Sequence, residues 1–289
     1  MTQQIITVEK EKDTERKSRY QEILDFSFRT LILGLVLAGI GFLDFIGLGL
    51  NTNALSSPIH HVLISVGQAT ALSLLISRSK LTGIYLIGSI FAFYYVLVPF
   101  LTAVETVIFV PNLSSTVIGR LYLNGIIQAL IISFVGVIIF EKLQPKSSFS
   151  IYAKLIETPL SEWVWKILAI GGIYVLIYIL SGALIFLPFA GDAINLVYAD
   201  LEMPEWILQF QYLRGILWAV VTIPLLRSLR GDKREIQLLM GISYILLVAT
   251  LVLMPGGISI IQVQIAHFIE LAIGHCFVFG IVVSKLFRE

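Results

Sequence analysis

Residues 206–254 read WILQFQYLRGILWAVVTIPLLRSLRGDKREIQLLMGISYILLVATLVLM. Two apolar runs flank a hydrophilic turn carrying Arg227, Arg230, Lys233 and Arg234, and a single arginine, Arg214, is stranded inside the first run. A helix of roughly 20 apolar residues crosses about 30 Å of hydrocarbon, so this stretch predicts two membrane spans joined by a basic turn. The same unit extends outward in both directions. Apolar runs lie at about 30–50, 60–77, 81–103, 120–140, 167–189, 206–226, 235–254 and 261–284. The runs lack the two-residue alternation of a barrel strand, and helices satisfy every backbone N–H and C=O without water. The fold class read from the sequence is an all-α polytopic membrane bundle of eight transmembrane helices.

Composition agrees. Hydrophobic residues make up 57% of the chain and charged residues 13%, with a mean hydropathy of +0.90, against about 45–50% and about 25% in soluble domains. Eighteen of the twenty Lys and Arg residues fall at alternate connections: before span 1, between spans 2 and 3, 4 and 5, and 6 and 7, and after span 8. Insertion retains Lys and Arg on the cytoplasmic side, which places both termini in the cytoplasm, and we expect a bacterial plasma membrane. The basic residues are mixed with acids and form no dense patch, so no nucleic-acid partner is expected. The partners expected are the bilayer and a small solute or lipid.

Residues 1–29 read as a cytoplasmic segment and 30–289 as the membrane domain. No cleavable signal peptide is expected, because a long charged segment precedes the first apolar run. Ser18 and Gln21 have capping-box spacing before Ile23, Leu24, Phe26 and Phe28, which predicts a short amphipathic helix on the inner surface; residues 149–157 suggest another. Trp163, Trp165 and Trp206 stand where interfacial anchors belong, and Pro99, Pro188, Pro224 and Pro255 are expected to kink or end spans. Cys276 has no partner for a disulfide within the chain and reads as a packing residue.

A duplication is suggested by placing Phe134–Leu143 (FVGVIIFEKL) over Phe277–Leu286 (FVFGIVVSKL), with five identities in ten. The same offset pairs Asn124 with His267; separately, Gly83 and Pro99 of span 3 resemble Gly241 and Pro255 of span 7, and Asp44 of span 1 would face Ser181 of span 5. Halves at 30–143 and 160–289 with four spans each would form a parallel 4+4 repeat about an axis along the membrane normal. Chance alignment of apolar helices is the competing explanation.

Candidate site residues are those that lipid cannot accommodate. Arg120, Asn124 and Gln128 recur every four residues on one face of span 4, and Gln264, His267 and Glu270 form a polar edge on span 8. Arg214 and Glu270 lie at matching depth, roughly 12–13 Å along their helices. A charge near the bilayer centre costs about 2.5–3.5 kcal/mol on insertion scales, so an Arg214–Glu270 ion pair is expected. Asp44, Glu105, Arg120, Tyr95 and Gln68 fall in the same outer half, which suggests an outward polar vestibule, although Glu105 and Arg120 read better as interface markers. The substrate-binding set is therefore Arg214, Glu270, His267, Asn124, Gln128 and Asp44. His275 faces away from the His267 edge.

No cofactor, metal or catalytic residue is expected: HExxH is absent, the histidine spacings match no recognised site, and there is no GxxxxGK[ST] loop for driving a pump with ATP. The outer segment at 190–205, with Asp192, Asp200, Glu202 and Glu205, reads as a solvated acidic loop. The best functional reading is a transporter-like protein with an outward vestibule. The alternatives are a membrane component that binds or assembles a partner, and an intramembrane enzyme acting on lipid through Glu270 or His267.

The orientation is tested by single cysteines in a Cys276→Ser background. Positions 51–57 and 195–203 should react with an impermeant maleimide from outside intact cells, and positions 144–156 only after lysis; the reverse pattern would invert the topology.

Overall fold

The computed structural model describes residues 2–48, 58–110, 113–144, 159–198, 203–254 and 260–287, and in the first of these the side chains of residues 18–42. Among them the long elements are helices: α1 (Thr2–Leu48), α2 (Pro58–Arg78), α3 (Gly83–Tyr95), α4 (Leu101–Phe109), α5 (Ser115–Ile139) and α6 (Leu160–Ser181). There follow α7 (Leu187–Ala190), α8 (Ile194–Tyr198), α9 (Ile207–Ser228), α10 (Lys233–Leu247), α11 (Ile261–His275) and α12 (Ser284–Phe287). Wide π-type turns join α3 to α4 (Val96–Phe100), extend α6 (Gly182–Phe186) and join α11 to α12 (Cys276–Val283).

Seven of these helical stretches are long and apolar enough to cross a membrane: 18–42, 58–78, 83–109, 115–139, 160–198, 233–253 and 261–287. The sequence expectation was eight. The remaining segment, α9, is a helix of 22 residues that holds Gln209, Gln211, Arg214 and Arg227, and it does not join the seven. Ahead of span 1, α1 runs unbroken through Ser18 and Gln21. Residues 149–157, Asp200, Glu202, Pro255 and the side chain of Asp44 lie outside the described residues.

Lipid compatibility is visible in what the helices leave uncovered. On α5, Leu123, Ile127, Leu130, Phe134 and Ile138 form an exposed apolar stripe at intervals of three and four, a surface that lipid tolerates and water does not. The opposite face buries Gly125, Ala129, Ile132, Ser133 and Gly136. Each helix is thus divided between a tightly packed face and an oily one.

Close crossings at glycine set the packing. A Cβ on Gly171 of α6 would stand 2.8 Å from the Tyr212 ring, and one on Gly215 of α9 would stand 2.7 Å from Tyr174 Cβ. The two helices therefore interlock reciprocally, each glycine receiving the other's tyrosine. Gly34 of α1 receives Val66 of α2 in the same way. Helices α1 and α2, α3 and α5, α6 and α9, and α10 and the last helix form the main packed pairs, with α2 against α10 and α3 against α9 joining them.

At the end carrying the basic turns, Ser79 and Leu229 form an isolated antiparallel bridge. Lys80 N–H donates to Ser228 O at 2.7 Å, Arg230 N–H donates to Arg78 O at 2.9 Å, and the Ser79 and Ser228 hydroxyls meet at 2.9 Å. Lys142 Nζ donates to Ser79 O at 2.8 Å, and Asp232 with Glu235 forms the capping box that starts α10.

At the opposite end the chain doubles back after α6. Twelve residues of straight helix would separate Phe186 from Tyr198 by about 18 Å, yet their ring centroids are 6.2 Å apart. Gly191, at φ +53°, supplies the turn. Residues 187–198 thus form a cap over the start of α11, its Ala190 seated on Val263 and Ala266. Gln262 Nε2 holds it by donating to the carbonyls of Phe189 and Ala190 at 3.0 and 3.2 Å.

Gly215→Val should lower stability by about 1–3 kcal/mol, the cost of overpacking a filled crossing. Gly172→Ala, where an added Cβ meets nothing within 4 Å, should leave the thermal midpoint in detergent unchanged or raise it. Equal loss from both would show that the α6–α9 crossing is not limiting.

Candidate functional site

Arg214 projects from the middle of α9 into the bundle and is 8% exposed. Its Nη1 donates to Glu105 Oε1 on α4 in a close ion pair, and its guanidinium carbon lies 4.4 Å from the centroid of the Trp218 ring one turn further along. The expected Arg214–Glu270 pair is corrected by this geometry: Glu105 takes the arginine, and Glu270 takes His267. Glu105 is likewise more than an interface marker. Two features bring it inward. The wide turn at Val96–Phe100, with Pro99 inside it, resets the helix ahead of α4, and Gly125 of α5 makes room for Pro99, whose Cβ would be 2.7 Å from a Cβ at that position.

Glu270 is 4% exposed, and its Oε2 lies 2.7 Å from Nδ1 of His267, one turn earlier on α11. The other carboxylate oxygen, Oε1, faces Gly182 and is the nearest atom to a Cβ placed there, at 3.7 Å. Phe186 stands edge-on to the His267 ring at 5.3 Å and to the Tyr198 ring at 6.2 Å. Helix α6 packs against α9, which carries Arg214, and against α11, which carries Glu270, and so adjoins both charged pairs.

Beneath the two charged pairs lies a floor of rings. Tyr174 Oη and His275 Nε2 are 3.4 Å apart, Trp218 packs edge-on to His275 at 4.8 Å, and Tyr244 stacks on Phe279 at 4.2 Å. Thr222 Oγ1 lies 2.6 Å from Tyr244 Oη. His275 does turn away from the His267 edge, but it is buried in this floor, and its part was not read from the sequence. The available signal was the spacing of Arg214 and Trp218, which stacks both side chains on one face of α9.

Among the described residues, three buried polar atoms on that face, Gln211 Oε1, Arg214 Nε and Trp218 Nε1, have no hydrogen-bond partner. An unsatisfied buried donor or acceptor costs about 1–3 kcal/mol. Three at positions 211, 214 and 218 make a ready receptor for water or a polar ligand group. Among the described residues no three His, Cys, Asp or Glu side chains gather in a way that could hold a metal ion.

The rest of the expected set is dispersed. Asn124 and Gln128 are half-buried on α5, which packs chiefly on α1, α3 and the Val96–Phe100 turn, and the structure gives neither a bond to the charged pairs. Gln68 donates to Leu247 O at 3.4 Å between α2 and α10, Tyr95 stacks on Phe91, and Arg120 is exposed. Cys276 packs against Gly241, where an added Cβ would come within 2.7 Å of its Sγ. Comparison with protein-family models, curated proteins and solved structures finds no match.

Arg214→Gln and Glu105→Gln should each destabilise the bundle by about 1–3 kcal/mol, because each leaves a partly buried charge alone. The double change should lose less than the sum of the two. Thermal unfolding of the four proteins measures this coupling, and a larger coupling of Arg214 with Glu270 than with Glu105 would contradict the pairing.

Proposed function

We propose that the chain is a transporter-like plasma-membrane protein that binds a small solute in an outward-facing polar region between α4, α6, α9 and α11, with α9 as the eighth span. The observation that carries this reading is the unsatisfied face of α9, where Gln211, Arg214 and Trp218 hold polar atoms ready in a place that helix packing alone would fill with apolar groups. The seat beneath the 187–198 cap supports it further. Gln262 and an apolar cluster centred on Ala190, Val263 and Ala266 hold the cap, and on this reading its displacement gives a solute access to His267 and Glu270. Wide turns adjoin α4, α6 and α11, each of which supplies a residue to this region, and such turns recur at functional sites.

We also read the chain as a parallel repeat with both termini in the cytoplasm. Helices α2 and α9 end, and α3 and α10 begin, 150 residues apart. At the same interval Leu86 and Ile236, Ile90 and Met240, Tyr94 and Tyr244, and Leu97 and Leu247 are all buried. The Ser79–Leu229 bridge joins two positions 150 residues apart through reciprocal bonds, the pattern required of a contact on a twofold axis. This register sets Gly83 opposite Lys233, in place of the Gly241 chosen by sequence pairing.

Protein purified in its native lipids should retain a small solute detectable by mass spectrometry. The Arg214→Gln, Glu105→Gln double variant should fold yet lose that solute and its uptake into liposomes. Retention and uptake unchanged in the double variant would leave the pair as a structural brace between α4 and α9 and return the protein to the partner-binding class.

A further inference from the structure

The 187–198 cap turns an oily surface outward. Its inner side is settled: Ala190 rests on Val263 and Ala266, and Tyr198 meets Phe186. On the outer side Leu187, Phe189 and Leu196 are exposed, Leu196 at 78%. The tip of the hairpin, by contrast, carries the exposed polar side chains of Asp192 and Asn195. Apolar surface concentrated on so short a segment marks contact with lipid or with another protein.

The level of the cap follows from helix length. The 22 residues of α6 and the five of its wide turn extend about 40 Å, enough for the hydrocarbon layer and part of the headgroup zones on either side. With Trp163 and Trp165 at the interface near the basic turns, about 30 Å of hydrocarbon ends roughly 20 residues further on, close to Phe186. Tyr198 comes back to the same level, since its ring lies 6.2 Å from that of Phe186. The hairpin thus leaves the edge of the hydrocarbon and returns to it.

The occupant of the outer face follows from continuity. On α6 the exposed Leu176, Leu180 and Leu184 stand at intervals of four and lead into Leu187 of the cap. On α11 and the wide turn after it, the exposed Ile261, Ile265, Ile273 and Phe277 repeat at multiples of four. Both are stripes of the kind seen on α5, which lipid tolerates and water does not. The cap prolongs the first stripe and is seated on Val263 and Ala266, beside the start of the second.

We propose that the cap is an interfacial hairpin set among the acyl chains of the leaflet opposite the basic turns, the outer leaflet on the orientation read above. Leu184, Leu187, Phe189 and Leu196 contact lipid, and Asp192 and Asn195 lie at the headgroups. The sequence reads 190–205 as a solvated acidic loop, but an acidic residue reports water only at its own position. Asp192 marks the wet tip, and the apolar side chains on either side of it belong to the bilayer. This embedding holds whether or not the bundle takes a solute.

The test uses the full chain in nanodiscs of phosphatidylcholine and phosphatidylglycerol, with single cysteines in the Cys276→Ser background carrying a nitroxide. Collision with oxygen, which concentrates among acyl chains, is compared with collision with a water-soluble nickel chelate. Leu130→Cys on α5 is the lipid standard and Lys80→Cys in a basic turn the water standard. Leu184→Cys, Phe189→Cys and Leu196→Cys should show the high oxygen-to-nickel ratio of the first, and Asp192→Cys the low ratio of the second. A low ratio at Phe189 and Leu196 restores the solvated loop and overturns the proposal. Shielding of both positions from both reagents also overturns it, and places a second copy or another protein over the face. Leu187→Cys replaces any cap variant that fails to fold. In intact cells Leu196→Cys should react with impermeant maleimide more slowly than Asp192→Cys, and equal rates would contradict the embedding. Retention of a native solute by protein with a low ratio at the cap, or a high ratio in protein that retains none, separates this proposal from the solute-binding reading.

Discussion

A guanidinium in the middle of an oily helix bundle must be neutralised where it stands, and much of the arrangement around Arg214 follows from that constraint. The energy of leaving it unanswered, about 2.5–3.5 kcal/mol or more near the bilayer centre, is comparable with the effect of a severe core mutation. Glu105 answers the charge from another helix and Trp218 covers it from the same one. For Glu105 to arrive, α4 must be re-aimed by the wide turn around Pro99, and α5 must offer Gly125 so that the turn can pack. A single stranded arginine therefore links α9 to a proline, a glycine and a carboxylate on two other helices.

The same logic separates what could be read in the sequence from what could not. Apolar run length is a property of each segment alone, so six helices stand close to their expected positions, while the first apolar stretch, 18–42, begins twelve residues ahead of the expected 30–50. The polarity of α9 could also be read, since Arg214 and two glutamines stand out from any hydropathy trace. Partner choice was a different problem. Matching depth made Glu270 a reasonable mate for Arg214, but depth is one coordinate of three, and azimuth depends on crossings that no single helix reveals. Glu105 was undervalued because it lies near a span end, where a carboxylate is inexpensive; the wide turn that redirects it was signalled only by Pro99. His275 was missed for a related reason, since facing away from one polar edge was taken as facing away from the site.

The two ends of the bundle are built from different interactions, and this bears on how such a molecule could move. At the basic end, backbone bonds, a serine pair and Lys142 tie the α2–α3 turn to the α9–α10 turn and to the end of α5. At the other end, the 187–198 cap sits through Ala190 and its partly buried apolar side chains on Val263, Ala266 and the amide of one glutamine. On the proposed solute-binding reading, the ring floor is the fixed side of the site and the cap the side that would move.

On the proposed register the halves share a scaffold and differ in their chemistry. Arg214 falls opposite Ile64 and Trp218 opposite Gln68, while Tyr94 and Tyr244 keep the same residue and the same burial. The conserved correspondences are those that pack helices, and the divergent ones are those that carry charge. Only one half then holds a stranded cation, and the carboxylate that neutralises it comes from the other. A bundle assembled this way cannot divide its site between two equivalent pockets. Its polar region lies to one side of the axis, with the rigid turn-to-turn bridge on the axis serving as the fixed point against which that side can open.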